Sequence, residues 1–127
     1  MREFESETIR IIFDDKNGIY KMILKKEFIN LKIAETIINE RVNFNLKDKI
    51  LLYVDCSLVK SFDKDARNYL GSNDTNKDII AYTMFAKTTI SAFLANFIIN
   101  VNLNSLSTPR KFFSNEKKAI KWLKKFK

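Results

Sequence analysis

The 127-residue sequence predicts a single-domain α/β fold. Two observations carry that prediction: short apolar runs of strand length alternate with stretches of helical periodicity, and turn or capping residues stand at the breaks between them. The resulting order is ββαβαβαβα, in which the later strands are joined by helices. Such crossovers produce a sheet clothed by helices.

Thr8 to Phe13 reads as the first strand and Ile19 to Leu24 as its hairpin partner. Asn17-Gly18 between them is the strongest short hairpin signal, because both residues tolerate positive φ. Asn30 is placed to cap a helix over residues 31–44, where Ala34, Ile37, Ile38 and Val42 recur at helical spacing. Lys49 to Val54 is a nearly continuous apolar run, as in a strand covered on both faces. Asp63 then opens a helix holding Ala66, Tyr69 and Leu70, with Gly71 positioned to close it in the left-handed conformation.

Ile79 to Ala86 is a second buried-strand candidate. Thr88 or Thr89 caps the helix that follows, whose apolar positions include Ile90, Phe93, Leu94, Phe97, Ile98 and Val101. Its apolar arc is wider than the roughly 100° that one sheet face requires. Pro109 to Phe113 forms a short last strand, and Ser114 is placed to cap a final helix with Ala119, Ile120 and Leu123 inward and lysines outward. No repeat, linker or low-complexity segment divides residues 1–127, and an ordered core is expected over about residues 8–126.

Composition removes several chemistries. The sequence has no histidine, one cysteine, one proline and two glycines. Histidine-dependent nucleophiles and histidine metal sites are therefore excluded. Gly18 and Gly71 lie too far apart for a phosphate-cradling loop or a dinucleotide fingerprint. No catalytic residue, metal or cofactor is implied, and the expectation is a protein that is not an enzyme.

The lone Cys56 and the polar N-terminus point to a cytoplasmic chain. Ile79 to Leu103 is the most apolar stretch, but Lys87 divides it and Asn96, Asn100 and Asn102 stud its second half, which argues against a transmembrane segment.

The net charge of +8 is concentrated at one end. Residues 110–127 hold eight Lys or Arg against Glu116 alone, while residues 1–109 hold fifteen against fourteen acidic residues. Such an end could meet phosphates or an anionic membrane surface. The basic residues do not alternate with exposed aromatics, however, which argues against nucleic-acid binding and favours a solvated helix face.

The segment Leu51 to Leu70, LLYVDCSLVKSFDKDARNYL, together with the order of elements, resembles STAS domains. These include the tails of sulfate transporters and the anti-sigma-factor antagonists. The run Asp65 to Leu70 and the closing EKKAIKWL are similar to the small single-domain SpoIIAA-like bacterial proteins in particular. That resemblance implies a mixed five-stranded sheet with about four helices, acting as a docking module. In the signalling antagonists the residue two after the helix-opening aspartate is a phosphorylated serine. Here it is Asp65, with Lys64 before it and Ala66 where those proteins have glycine. No hydroxyl is available for the switch, and a fixed carboxylate carries less charge than a phosphate.

The candidate interaction loop comprises Asp55, Lys60, Asp63, Lys64, Asp65 and Arg67. Open α/β sheets place ligands at the carboxyl ends of their strands, where these residues fall. Asp63 as an N-cap and Asp65 near the helix dipole give the carboxylates structural work, which weighs against catalysis or metal binding there. Cys56 has Lys60 four residues on, yet a lone cysteine after a buried strand fits better as an apolar filler than as a reactive thiol.

The surplus apolar surface of the 89–102 helix, with Phe93, Phe97, Ile98 and Val101, has three readings: core, a contact face for a partner or a second copy, or one wall of a pocket for a lipid-like ligand. The last would follow from the likeness of the SpoIIAA-like group to CRAL-TRIO lipid carriers. The leading functional expectation is a cytoplasmic, regulatory protein-interaction module working by surface docking, with homodimerisation open. The alternative is a carrier or sensor of a small apolar molecule held between the 89–102 helix and the sheet.

Overall fold

The computed structural model of the chain describes residues 2–45, 49–89, 91–93 and 108–127. A six-stranded mixed sheet runs in the order β1 (Glu3–Glu5), β2 (Ile9–Asp14), β3 (Ile19–Leu24), β5 (Ile50–Asp55), β7 (Ile79–Phe85) and β8 (Arg110–Phe113). The first three strands are antiparallel and the rest join in parallel. β4 (Phe28–Ile29) and β6 (Ser61–Phe62) form a separate two-stranded parallel ribbon. α1 (Leu31–Asn45), α2 (Lys64–Leu70) and α3 (Glu116–Lys124) complete the regular elements, with residues 89 and 91–93 also helical.

All five strands expected from the sequence are present, so the mixed α/β architecture stands. The sixth, β1, lies on the edge of the sheet and all three of its residues are exposed. It buries no face and so leaves no alternating pattern to read.

The central strands separate two cores. On β5, Ile50, Leu52 and Val54 pack under α1 and α2, whereas Leu51 and Tyr53 face α3 through Ala119 and Leu123. That two-sided burial is why KILLYV is almost continuously apolar. On β7 the pairing moves from Ile50↔Ile79 to Leu51↔Ala81, leaving Ile80 without a partner in that register. The shift reverses side-chain parity, so Ile79 and Tyr82 share one face.

Four local expectations are corrected. Gly71 does follow α2, but at φ −91°, and its N–H donates to Arg67 O in an ordinary right-handed ending. Asn115, not Ser114, caps α3, its Oδ1 accepting from Lys118 N at 3.0 Å. Val42 is 48% exposed, because the inward stripe of α1 is Ala34, Ile37, Arg41 and Asn45. The sheet has six strands where five were expected, together with the additional β4–β6 ribbon.

Other expectations hold. Asn30 Oδ1 accepts from Ile33 N at 2.9 Å at the start of α1, and Gly18 takes φ +68° in the β2–β3 turn. No helix among the described residues is long and apolar enough to cross a membrane.

Candidate functional site

The segment from Asp55 to Arg67 leaves the carboxyl end of β5, crosses the β4–β6 ribbon and enters α2. Hydrogen bonds hold it along most of its length. Asp55 Oδ1 accepts from Ser57 N at 2.9 Å, and Cys56 N donates to Phe85 O at 2.8 Å, tying the loop to the end of β7. Lys60 N and Ser61 N both donate to Glu27 O, at 2.7 and 3.1 Å. Asp63 N donates to Ile29 O at 3.0 Å. The ribbon thus delivers the chain to the helix start in a fixed register.

At that start Asp63 Oδ1 accepts from Ala66 N at 2.9 Å, satisfying a first-turn N–H that the helix itself cannot. Lys64 and Asp65 are exposed on the same turn, and Arg67 reaches back to donate to Phe62 O at 2.9 Å. Lys60 pairs with Glu27 at 3.1 Å in solvent, where such a pair contributes little. The six loop residues named from the sequence therefore lie on one continuous, braced segment. The Asp55 and Asp63 carboxylates have separate backbone partners, Asp65 is exposed, and no cluster of three metal-ligating side chains occurs among the described residues.

Cys56 is buried, its Sγ donating to Phe85 O at 3.2 Å. Burial, with a smaller contribution from the Asp55 carboxylate, pushes its thiol up to about 12. A thiol so placed stays protonated at neutral pH and serves as packing.

Of the exposed apolar side chains at this end, sequence reasoning named Phe93 and missed Leu58 and Phe28. Leu58, between the bonded residues Ser57 and Val59, is 55% exposed. The buried Ser91 hydroxyl lies within hydrogen-bond distance of both Ser57 O and Val59 O, so Ser91 buttresses the loop on either side of Leu58. Lys87 N donates to Ser57 Oγ at 3.0 Å. Phe93, two residues beyond Ser91, is 72% exposed, and Phe28, paired with Ser61, is 63% exposed. An exposed leucine in the primary sequence has no signature, since only the fold shows which residues the loop leaves outside. Of the candidate apolar residues on the 89–102 helix, Phe97, Ile98 and Val101 lie outside the described residues.

A second feature lies beneath α1. A cavity of about 60 Å³ is walled by β3, β5 and β7 and by α1, Phe62 of β6 and Leu70 of α2. Arg41 and Asn76 bring polar side chains to a lining that is otherwise mainly hydrocarbon. The described part of the 89–102 helix contributes no lining residue, which places this cavity elsewhere than the expected pocket.

Comparison with known proteins agrees with this architecture. The family model described as "Domain of unknown function (DUF7793)" matches residues 13–127. A crystal structure of an uncharacterized protein of the DUF3478 family with a SpoIIAA-like fold, from Shewanella loihica PV-4, superposes with a TM-score of 0.61 at 15% identity, covering 94% of this chain and 98% of that one. The STAS-like, SpoIIAA-like fold is thereby shown. No curated protein matches the sequence.

Proposed function

The chain belongs to the DUF7793 family, and from that membership, its SpoIIAA-like fold and the braced loop at the end of β5 we propose that it is a cytoplasmic protein-interaction module, regulatory rather than enzymatic, that works by surface docking. Leu58 carries the reading. It is an exposed apolar side chain on a loop held at both flanks, and charged Lys60, Asp63, Lys64 and Asp65 follow it. An apolar anchor with a polar rim is the composition of a protein-binding centre, and rigidity before binding lowers the entropy lost on association. Asp65 supplies a permanent negative charge where the signalling antagonists carry a switchable one, so any on–off signal would act through the partner.

Carriage of an apolar molecule beneath the 89–102 helix has less support. Among its described residues Ala92 packs against the core while Phe93 faces solvent.

Affinity capture from a cell extract, comparing wild type with Leu58→Glu, Asp65→Arg and the distant surface control Val42→Glu, tests the docking reading. Proteins retained by wild type and Val42→Glu but lost from both loop variants are expected. Identical capture by all four would remove this loop from any interface.

A further inference from the structure

The geometry points to a binding site in the α1 cavity for a compact, neutral, oxygen-bearing organic group: a ketone, alcohol or ester oxygen on a short hydrocarbon body. Arg41 is fully buried, its Nη1 donating to Asp78 Oδ2 and its Nη2 to Thr75 O, each at 2.8 Å. Its Nε, also buried, has no partner. A buried N–H of a cation left unpaired is costly, so the site calls for an acceptor.

Two features narrow what that acceptor belongs to. Met22, Leu52, Val54, Ile79 and Met84 line the same cavity, Tyr82 is its one other polar side chain besides Arg41 and Asn76, and the Asn76 amide nitrogen is already donating to Leu70 O and Ser72 O. The roughly 60 Å³ is about two water volumes, but an ordered water requires two to four polar partners, and hydrocarbon surrounds most of this space. One oxygen at Nε with an apolar remainder matches the lining better than water does. A carboxylate matches it worse: Asp78 already neutralises Arg41, and a second anion would be buried without a counter-charge.

Acetone, acetate and isobutene test this directly, because each has about the same size and four non-hydrogen atoms while differing in charge and acceptor. Methyl NMR of the whole chain reads the cavity through Met22 and Met84, with exposed Leu58 and Val42 as controls. Acetone is expected to shift the two methionine methyls saturably in the millimolar range, as its few atoms allow. Acetate and isobutene should bind at least tenfold more weakly, and the control methyls should not move. Arg41→Lys, which keeps the charge and lacks Nε, should erase the preference for acetone over isobutene.

Should Arg41→Lys fail to fold, the wild-type series alone decides the matter. No saturable shift with acetone, or binding of isobutene or acetate as tight as that of acetone, would overturn the proposal. Either result leaves the docking reading untouched, since the only residue of the Asp55–Arg67 segment in this lining is the buried Phe62, which is none of the loop positions assigned to docking.

Discussion

Arg41 of α1 and Asp78, the residue preceding β7, meet at 2.8 Å although 37 residues separate them. The guanidinium side chain is almost wholly enclosed while the carboxylate keeps about a fifth of its surface in water. The pair is therefore asymmetric. Losing Asp78 strands a buried cation, whereas losing Arg41 leaves an anion that water can reach.

Asp78→Ala should thus lower unfolding free energy by about 2–3 kcal/mol, and Arg41→Met by less than half of that. The double variant should resemble Arg41→Met. Urea denaturation of the three proteins provides the measurement. Equal losses in the two single variants would mean that packing, not stranded charge, sets the cost.

This pair also marks the limit of what the sequence discloses. The Asp63 and Asn30 caps were legible because the accepting cap and the donating N–H stand only three residues apart, and β5 was legible because two buried faces leave a continuous apolar run. Arg41 occupies an inward position of α1, but its partner is remote and its charge reads as solvent-facing. Ser91 and Ser57 are likewise 34 residues apart, so the bracing of Leu58 has no local signal. The positions of the loop charges could be read from the chain. Their arrangement around an apolar tip could not.

The alkaline limb of the stability profile should carry the signature of Cys56. Burial raises its thiol from 9.0 to about 12, and raises the Tyr82 phenol from 10.0 to about 12. Above pH 9 the unfolded thiol loses its proton while the folded one keeps it, so unfolding releases a proton. The stabilising contribution is complete below pH 9 and is lost as pH rises toward 12. Between pH 9 and 10 wild type should lose about 1 kcal/mol relative to Cys56→Ala, while above pH 10 Tyr82 steepens the profiles of both proteins alike. Chemical denaturation across that range checks it, and parallel profiles for the two proteins would contradict it.

Asp63 and Asp65 stand two residues apart in the same turn yet should differ in stability terms. Asp63→Ala removes the acceptor of the Ala66 N–H and should cost about 1 kcal/mol, with Asp63→Asn restoring most of it. Asp65→Ala loses only an exposed charge near the helix start, worth a few tenths of a kcal/mol. Thermal or urea unfolding separates the two. A larger loss from Asp65→Ala would assign that residue a contact within the fold and withdraw it from the docking surface.

The β2–β3 turn rests on Gly18, whose φ of +68° is favourable only for a residue without Cβ. Asp14 supports the turn from the other side, its Oδ2 accepting from Asn17 Nδ2 at 2.8 Å and its backbone oxygen from Gly18 N at 2.8 Å. A Cβ on residue 18 would come within 3.1 Å of Lys127 Cε and Nζ, but those atoms end a flexible side chain at the C-terminus and can move aside. Backbone strain, then, and not crowding should set the cost. Gly18→Ala is expected to lose about 1 kcal/mol in urea denaturation, and the loss should be the same in a chain that also carries Lys127→Ala. Relief of the penalty by Lys127→Ala would reverse that assignment and make the terminal lysine the cause.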